Sequence, residues 1–336
     1  MAQNSRELVR CLFEGQPAER PPFFPWVCSL AATLEQVPVK TMLSDPGILS
    51  RALSNTHKLF GYDLIINHFD LTLEAEALGC EIERWDDTWP FIIIGHPLEH
   101  GADFYDLDTE GIEKKGRIPV ILETTKRLIL TKAKEVPIAA MITGPLTLAK
   151  HLKGDEFARQ LELEDDDATN LVEDAGSICL KLCREYCELG VDIIVIAEDM
   201  RDLVIQDLSS VLASPFKSLF NVSRFYNVNS VLISRTRDDN QASSISKLGA
   251  DALSVSGNIV MNHLQEKAGM EDCRYSVTIP DSALIGTDPE NINPIKNAIK
   301  SGESGYFLAS EWELPRDTSV NSMHRIMKII RGESND

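Results

Sequence analysis

The stretch at residues 63–79, D-L-I-I-N-H-F-D-L-T-L-E-A-E-A-L-G, decides the fold of this chain. It opens with an apolar run at 64–66, which is typical of a strand buried on both faces of a parallel sheet. Four polar side chains come soon after that run, namely His68, Asp70, Glu74 and Glu76. Parallel α/β scaffolds build their sites from such groups at the carboxyl ends of buried strands. The alternative interpretation is that the two glutamates face solvent and the imidazole packs in the core.

Predicted strands and helical segments alternate along the whole chain. The strands lie at 23–28, 63–69, 138–143, 191–197, 230–234, 252–255, 275–280 and 305–309. A helix is predicted between the sixth and seventh of them, at 261–267. This alternation favours an α/β protein with a closed (β/α)₈ TIM barrel, as a single domain over residues 1–336. An open doubly wound sheet is the second choice.

One segment breaks the alternation. Residues 80–95, C-E-I-E-R-W-D-D-T-W-P-F-I-I-I-G, form two extended segments around a polar turn, which predicts a hairpin. The loop that follows, up to Lys115, carries His96, His100 and several acids. We therefore expect an insertion at about 80–117, after the second strand, of a length that is often functional.

Composition, charge and the absence of certain motifs argue against several classes of function. The chain has 336 residues and a formal charge of -19, from 52 acidic and 33 basic residues, which argues against nucleic-acid binding. No apolar run approaches 18 residues, so we expect a soluble cytoplasmic protein without membrane contact. Neither a dinucleotide nor a P-loop glycine motif follows a strand. Cys179, Cys183 and Cys187 recur at every fourth residue and are expected to pack on one helical face in a reduced compartment.

The predicted strand ends collect polar and aromatic side chains at one mouth of the barrel. The candidate catalytic residues are His68, Asp70, Glu76, His151, Glu198, Asp199 and Glu311, and the candidate substrate-binding residues are Trp26, Cys28, Ser256 and Trp312. Crowded carboxylates raise one another's pKa or recruit a cation. A divalent metal such as zinc, with ligands from His68, Glu198 and Glu311, and an acid/base pair are both open interpretations. Arg235 follows a strand, but we expect no arginine cluster at the mouth.

Five segments of the chain resemble the uroporphyrinogen decarboxylase superfamily. They are S-R-E-L-V-R-C-L-F-E-G-Q-P-A-E-R-P-P, F-D-L-T-L-E-A-E-A-L-G-C, I-T-G-P-L-T-L-A-K-H, L-G-A-D-A-L-S-V and G-T-D-P-E-N-I. That superfamily includes true decarboxylases and methyltransferases that move methyl groups to or from corrinoid proteins or thiols. The resemblance spans nearly the whole chain and implies a (β/α)₈ barrel, in agreement with the count of strands.

Departures from the decarboxylase pattern concern its substrate-binding groups. Asp70 stands where the resemblance places the aspartate that holds the pyrrole nitrogens. However, F-F-P-W-V-C-S-L replaces the arginine-rich R-Q-A-G-R-Y segment, His151 replaces a tyrosine, and F-L-A-S-E replaces N-L-G-H-G. A substrate with many carboxylates requires guanidinium groups. These departures speak against decarboxylation of uroporphyrinogen.

The thiol-methylating branch of the superfamily implies a zinc site written H-x-C with a distant cysteine. The corresponding positions here are Ser234, Thr236 and roughly Trp312, none of which replaces a thiolate or imidazole ligand. The remaining branch demethylates a small methylated donor. Its cobalamin belongs to a separate corrinoid protein that docks over the mouth, since this chain has no D-x-H-x-x-G motif.

Three functional hypotheses follow. The leading one is a methyltransferase that moves a methyl group from a methyl ether or methylamine to a corrinoid protein, with Trp26 and Trp312 as an apolar wall for the donor. The second is a decarboxylase of the uroporphyrinogen decarboxylase type, in porphyrin biosynthesis. The third is a non-catalytic protein that binds a tetrapyrrole or corrinoid. Aliphatic helix surfaces are compatible with a homodimer.

Overall fold

Eight parallel strands form one sheet in the part of the chain that the computed structural model describes, residues 3–84, 89–204, 208–256, 273–288, 291–301 and 305–333. In chain order they are β1 (Phe23–Trp26), β2 (Ile65–Ile66), β5 (Ile138–Thr143), β6 (Ile193–Asp199), β7 (Asn229–Arg235), β8 (Ala252–Ser256), β9 (Arg274–Ile279) and β10 (Tyr306–Glu313). Their spatial order is β1-β10-β9-β8-β7-β6-β5-β2. The predicted TIM barrel is confirmed, with its seam between β1 and β2.

Helices surround this sheet. They are α1 (Ser5–Glu14), α2 (Ser29–Glu35), α3 (Val39–Met42), α4 (Pro46–Phe60), α5 (Leu73–Ala77), α6 (Ile118–Lys132), α7 (Pro145–Lys153), α8 (Glu156–Glu162), α9 (Asp166–Leu189), α10 (Ser209–Phe225), α11 (Asp239–Ser246), α12 (Asp281–Ile285), α13 (Asn293–Ser301) and α14 (Val320–Ile330). The helix predicted at 261–267 lies outside the described residues. No described helix is long and apolar enough to cross a membrane.

Local sequence explains where the helices begin and end. Asp45 caps α4, its Oδ1 accepting from the N–H groups of Gly47 and Ile48 at 2.7 and 2.8 Å, and Pro46 occupies the first helical position. The three cysteines of α9 are buried on one face, as their spacing predicts.

The predicted insertion contains a hairpin. Strand β3 (Glu81–Glu83) pairs antiparallel with β4 (Ile92–Gly95), and short 3₁₀ turns follow before α6. On β4, Ile92 and Ile94 are exposed, whereas Ile93 is partly buried against the hydrophobic core. Ile92 and Ile93 both border the barrel mouth. The hairpin therefore stands beside the carboxyl ends of the barrel strands.

An aspartate side chain joins the two strands at the seam. The Asp63 N–H donates to Phe23 O at 2.9 Å, and the Phe23 N–H donates to Asp63 Oδ2 at 2.9 Å. Arg20 binds the same carboxylate through both terminal nitrogens at 2.7 and 2.9 Å, and Ser5 Oγ donates to it at 2.8 Å. Asp63 has no exposed surface, so its charge is balanced entirely by these donors.

The same device recurs at the amino ends of two other strands. In each case a glycine with positive φ precedes an aspartate by two residues, in Gly61-Tyr62-Asp63, Gly190-Val191-Asp192 and Gly249-Ala250-Asp251. Asp192 Oδ2 accepts from the Ile138 N–H, and Asp251 Oδ2 accepts from the Ser230 N–H, both at 2.8 Å. These carboxylates satisfy an N–H at the start of the neighbouring strand. They fix strand register at the face opposite the mouth.

Replacing Asp63 tests the seam. We expect Asp63→Asn to lower the free energy of unfolding by about 3 kcal/mol, because it leaves the largely buried Arg20 without its charge partner. Urea unfolding followed by circular dichroism measures the loss. The control is Glu14→Gln in the exposed Arg10–Glu14 pair, which should change stability by less than about 1 kcal/mol. Equal stabilities of the two variants would show that the carboxylate does not hold the seam.

Candidate active site

A cleft of about 770 Å³ opens at the carboxyl ends of the barrel strands. Aromatic side chains form much of its wall, namely Phe69 after β2, Trp89 and Phe91 from the hairpin, and Trp312 on β10. Phe69 meets Trp312 edge-on, with ring centroids 5.1 Å apart, and Trp89 meets Phe91 edge-on at 5.0 Å. This mouth and these walls suit a small ligand with apolar surface.

Four of the predicted site residues line this cleft: Asp70, His151, Asp199 and Trp312. The others do not belong to its lining. Trp26, Cys28, His68 and Glu198 are fully buried, Ser256 is nearly so, Glu76 lies in an ion-pair network, and Glu311 is half-buried on β10. Cys28 directly precedes α2 without a side-chain capping hydrogen bond. Burial raises the pKa of its thiol well above the usual value, so the thiol is protonated.

Asp70 is tied to an arginine from the end of the insertion. Arg117 donates to Asp70 Oδ2 at 2.6 Å and to Glu76 Oε2 at 2.6 Å, and it is only 5% exposed. Arg84 on the hairpin binds the other oxygen of Glu76. Burial alone would raise the pKa of Asp70, but the charge of Arg117 and the hydrogen bonds from Thr72 and Arg117 outweigh it and hold that pKa below the usual value. Asp70 is therefore a fixed carboxylate.

A second group of arginines lies around Asp199 in the lining of the cleft. Arg235 places its guanidinium over Trp312, 4.7 Å from the ring centroid, and 3.6 Å from Asp199 Oδ2. Arg201 binds both oxygens of Asp199, at 2.9 and 2.8 Å, and Arg316 also lines the cleft. The prediction of a mouth without an arginine cluster is wrong. The decarboxylase pattern places its arginines after the first strand, whereas the arginines of this cleft lie at the ends of β6, β7 and β10.

Two buried glutamates accept hydrogen bonds from neighbouring backbone N–H groups and hydroxyls. Glu198 accepts from the N–H groups of Leu146 and Thr147, at 3.0 and 2.8 Å, and from the Thr147 hydroxyl, so it caps the start of α7. A Cβ on Gly144 would lie 2.2 Å from Glu198 Cδ, which explains the glycine there. Glu74 accepts from Thr143 Oγ1 at 2.6 Å and from its N–H at 3.1 Å. These contacts join strand ends to helices.

The two predicted imidazoles are neutral. Burial lowers the pKa of His68 to about 4 and that of His151 to about 4. His68 Nδ1 accepts from the Asp70 N–H at 3.2 Å, while His68 Nε2 and His151 Nδ1 have no hydrogen-bond partner among the described residues. A neutral imidazole can accept or donate one hydrogen bond, and the His151 side chain borders the cleft.

The sequence interpretation missed Glu313, a partly buried carboxyl that lines the cleft. Its Oε1 accepts from the Ser29 N–H at 2.5 Å, and its Oε2 accepts from the Trp89 indole N–H. Burial raises the pKa of Glu313 to about 7, against these hydrogen bonds, which lower it. A carboxyl that is half protonated near neutrality is suited to general acid or base catalysis. The repeat E-W-E at Glu311–Glu313 was the available signal.

The predicted metal ligands do not come together. Within the described ranges, no three His, Cys, Asp or Glu side chains are placed to share an ion, so His68, Glu198 and Glu311 form no common site. At the positions that correspond to the superfamily's zinc ligands, Ser234 donates its hydroxyl to Glu198 O at 3.2 Å and Thr236 is buried. Neutral hydroxyls and an indole do not provide the donors that zinc requires. This chain's residues therefore do not fit that zinc site.

The protein is thus a TIM barrel with a cleft of acidic, arginine and aromatic side chains at the carboxyl ends of its strands. The sequence model of the family described as uroporphyrinogen decarboxylase (URO-D) matches residues 4–332, and the chain belongs to that family.

Relatives of known activity include methyltransferases. The chain is 26% identical to the methylcobamide:CoM methyltransferase MtbA of Methanosarcina acetivorans over 249 residues, which cover 71% of this chain and 72% of MtbA. It is 25% identical to the methylcobamide:CoM methyltransferase MtaA of Methanosarcina barkeri over 196 residues, or 55% of this chain and 56% of MtaA. A solved methyltransferase from Methanosarcina mazei shares the fold, with a TM-score of 0.86 and 20% identity over 98% of this chain and 99% of that one.

Glu198 and Glu313 should respond differently to substitution. We expect Glu198→Gln to lower the free energy of unfolding by about 1–3 kcal/mol, because its amide NH₂ would face donors at the start of α7. Glu313→Gln should lower it less, since one side of that carboxyl faces the cleft. Urea unfolding of both variants provides the comparison. A Glu198→Gln protein of wild-type stability would contradict the capping role.

Proposed function

We propose that this protein is a methyltransferase that moves a methyl group from a small methyl ether to a corrinoid held by a separate partner protein. The observation that carries the proposal is the protonatable Glu313 carboxyl inside a cleft with aromatic walls. Membership of the family and the resemblance to methylcobamide:CoM methyltransferases support methyl transfer as the class of reaction.

Ether cleavage requires a proton. The bond between the methyl carbon and the ether oxygen breaks, and the oxygen leaves as an alcohol or phenol once it is protonated. Glu313 donates that proton and takes up another from solvent after the product leaves. A corrinoid held by a partner protein would supply the nucleophile that accepts the methyl group.

Other side chains of the cleft hold the donor in this proposal. Trp312 and Phe91 enclose its apolar part, and His151 forms one hydrogen bond to it as a neutral imidazole. Asp70 remains ionised beside Arg117 and provides a fixed acceptor. Asp199 orients Arg235 against Trp312.

The cleft favours an ether over a methylated ammonium group. Binding such a cation requires open aromatic faces. Here the guanidinium of Arg235 covers Trp312 at 4.7 Å, and that of Arg117 lies 5.2 Å from the centroid of Phe91. A quaternary amine would also leave without a proton, so it would make no use of Glu313.

The arginines favour a second candidate, decarboxylation of an acid of the tetrapyrrole kind. Arg201, Arg235 and Arg316 line the cleft, and guanidinium groups are the usual partners of substrate carboxylates. Two of the three already share Asp199, which reduces the charge they offer. Release of carbon dioxide from uroporphyrinogen by the purified protein would place this candidate first; on the methyl-transfer proposal none is expected.

The methyl-transfer proposal is tested with reduced cobalamin and a panel of aromatic and aliphatic methyl ethers and methylamines. We expect methylcobalamin, followed by absorbance, with at least one ether. Replacing the acid in Glu313→Gln should lower kcat about 10²–10⁴-fold with little change in KM, because the proton is required only as the bond breaks.

The matched control is Glu123→Gln on the exposed face of α6, which should retain wild-type kinetics. Formation of no methylcobalamin from any donor, or full activity of Glu313→Gln, would overturn the proposal.

A further inference from the structure

We propose that Trp89, on the inserted hairpin, is a positioning residue that fixes the Glu313 carboxyl and couples the placement of the hairpin to the proton which that carboxyl donates. The inference deepens the proposed function, since it rests on Glu313 as the acid. Neither the resemblance to the family nor the sequence pattern points to Trp89.

Three separate parts of the chain meet at this carboxyl. Trp89 comes from the hairpin, the Ser29 N–H from the start of α2, and Glu313 from the end of β10. Each carboxyl oxygen has one donor. The barrel supplies the first donor, and the insertion supplies the second.

Packing holds the indole in place. Trp89 contacts the ring of Phe91 edge-on, at 5.0 Å and an interplanar angle of 77°. Phe91 is 5% exposed and lies against the guanidinium of Arg117, at 5.2 Å, which in turn binds Asp70. The hairpin is thus fastened to the mouth through an aromatic pair and an ion pair. Movement of the hairpin therefore moves the N–H away from Glu313.

The indole N–H changes the balance between the two forms of Glu313. An N–H donor stabilises the carboxylate, whereas burial stabilises the neutral acid. The groups that face Glu313 are Trp89 from the hairpin, Ser29 from α2, Cys28 beside it and Asp70 after β2, whose negative charge also favours the neutral acid. Removal of the indole N–H takes away one stabilising contact of the carboxylate. The pKa of Glu313 then rises, and the acid stays protonated to higher pH.

Nuclear magnetic resonance of the ¹⁵N-labelled indoles tests this coupling without substrate or corrinoid. The chain has four tryptophans. One indole N–H signal should titrate with a midpoint near the Glu313 pKa of about 7, disappear in Trp89→Phe, and no longer titrate at that midpoint in Glu313→Gln. If Trp89→Phe fails to fold, the Glu313→Gln spectrum alone shows which indole N–H signal depends on the Glu313 carboxyl. If no indole signal depends on Glu313, the proposal is overturned.

The pH profile of methyl transfer provides the second measurement. Activity that requires protonated Glu313 declines as pH rises through its pKa, and in Trp89→Phe the midpoint of that decline should move upward by about one unit. Tyr105→Phe, an exposed ring of the same insertion, should leave the midpoint unchanged. An unshifted midpoint in Trp89→Phe would contradict the coupling. A titrating indole without methyl transfer from any donor would support the coupling and overturn the proposed function instead.

Discussion

Closure of the barrel depends on the Asp63 carboxylate, which accepts a backbone hydrogen bond across the seam between β1 and β2. Strands β1 and β2 are the two ends of the sheet, where N–H groups would otherwise lack partners. Asp63 satisfies the Phe23 N–H with its side chain and donates its own N–H to Phe23 O, while Arg20 neutralises its charge. Because both strands lead directly into the mouth, the seam also sets the positions of Ser29 and Asp70 around the cleft.

Burial raises the pKa of three glutamates to a similar value, but their hydrogen-bond partners and their positions relative to the cleft differ. Glu74 and Glu198 are fully buried and Glu313 is partly buried, and burial raises the pKa of each to about 7. The oxygens of Glu74 and Glu198 are occupied by Thr143 and by the start of α7, and neither glutamate belongs to the lining of the cleft. Glu313 has one donor on each oxygen and borders the cleft. On the proposed function, the position of Glu313 beside open volume, rather than its pKa, selects it as the acid.

Local patterns in the sequence were sufficient for the fold but only partly for the site. Apolar runs predicted all eight strands, since the burial of a parallel strand on both faces is recorded in consecutive residues. The pairing of Asp70 with Arg117, 47 positions later, has no local signature, so the sequence did not predict this ion pair. Glu313 was missed because the polar end of β10 resembles a loop. Pairing with β1, which aligns Trp26 with Glu313, extends the strand past the predicted end at 309.

The chain lacks the zinc ligands that the resemblance to its superfamily implies at two positions of the barrel mouth. Ser234 and Thr236 carry hydroxyls where the resemblance implies imidazole and thiolate, and the Ser234 hydroxyl is already bound to Glu198 O. A thiol acceptor therefore has no soft ligand set to activate it here. A methyl ether needs only a proton on its oxygen, and a carboxyl poised near neutrality supplies one. On the proposed function, the same barrel retains methyl transfer while a proton donor, held by an inserted hairpin, takes the place of a metal.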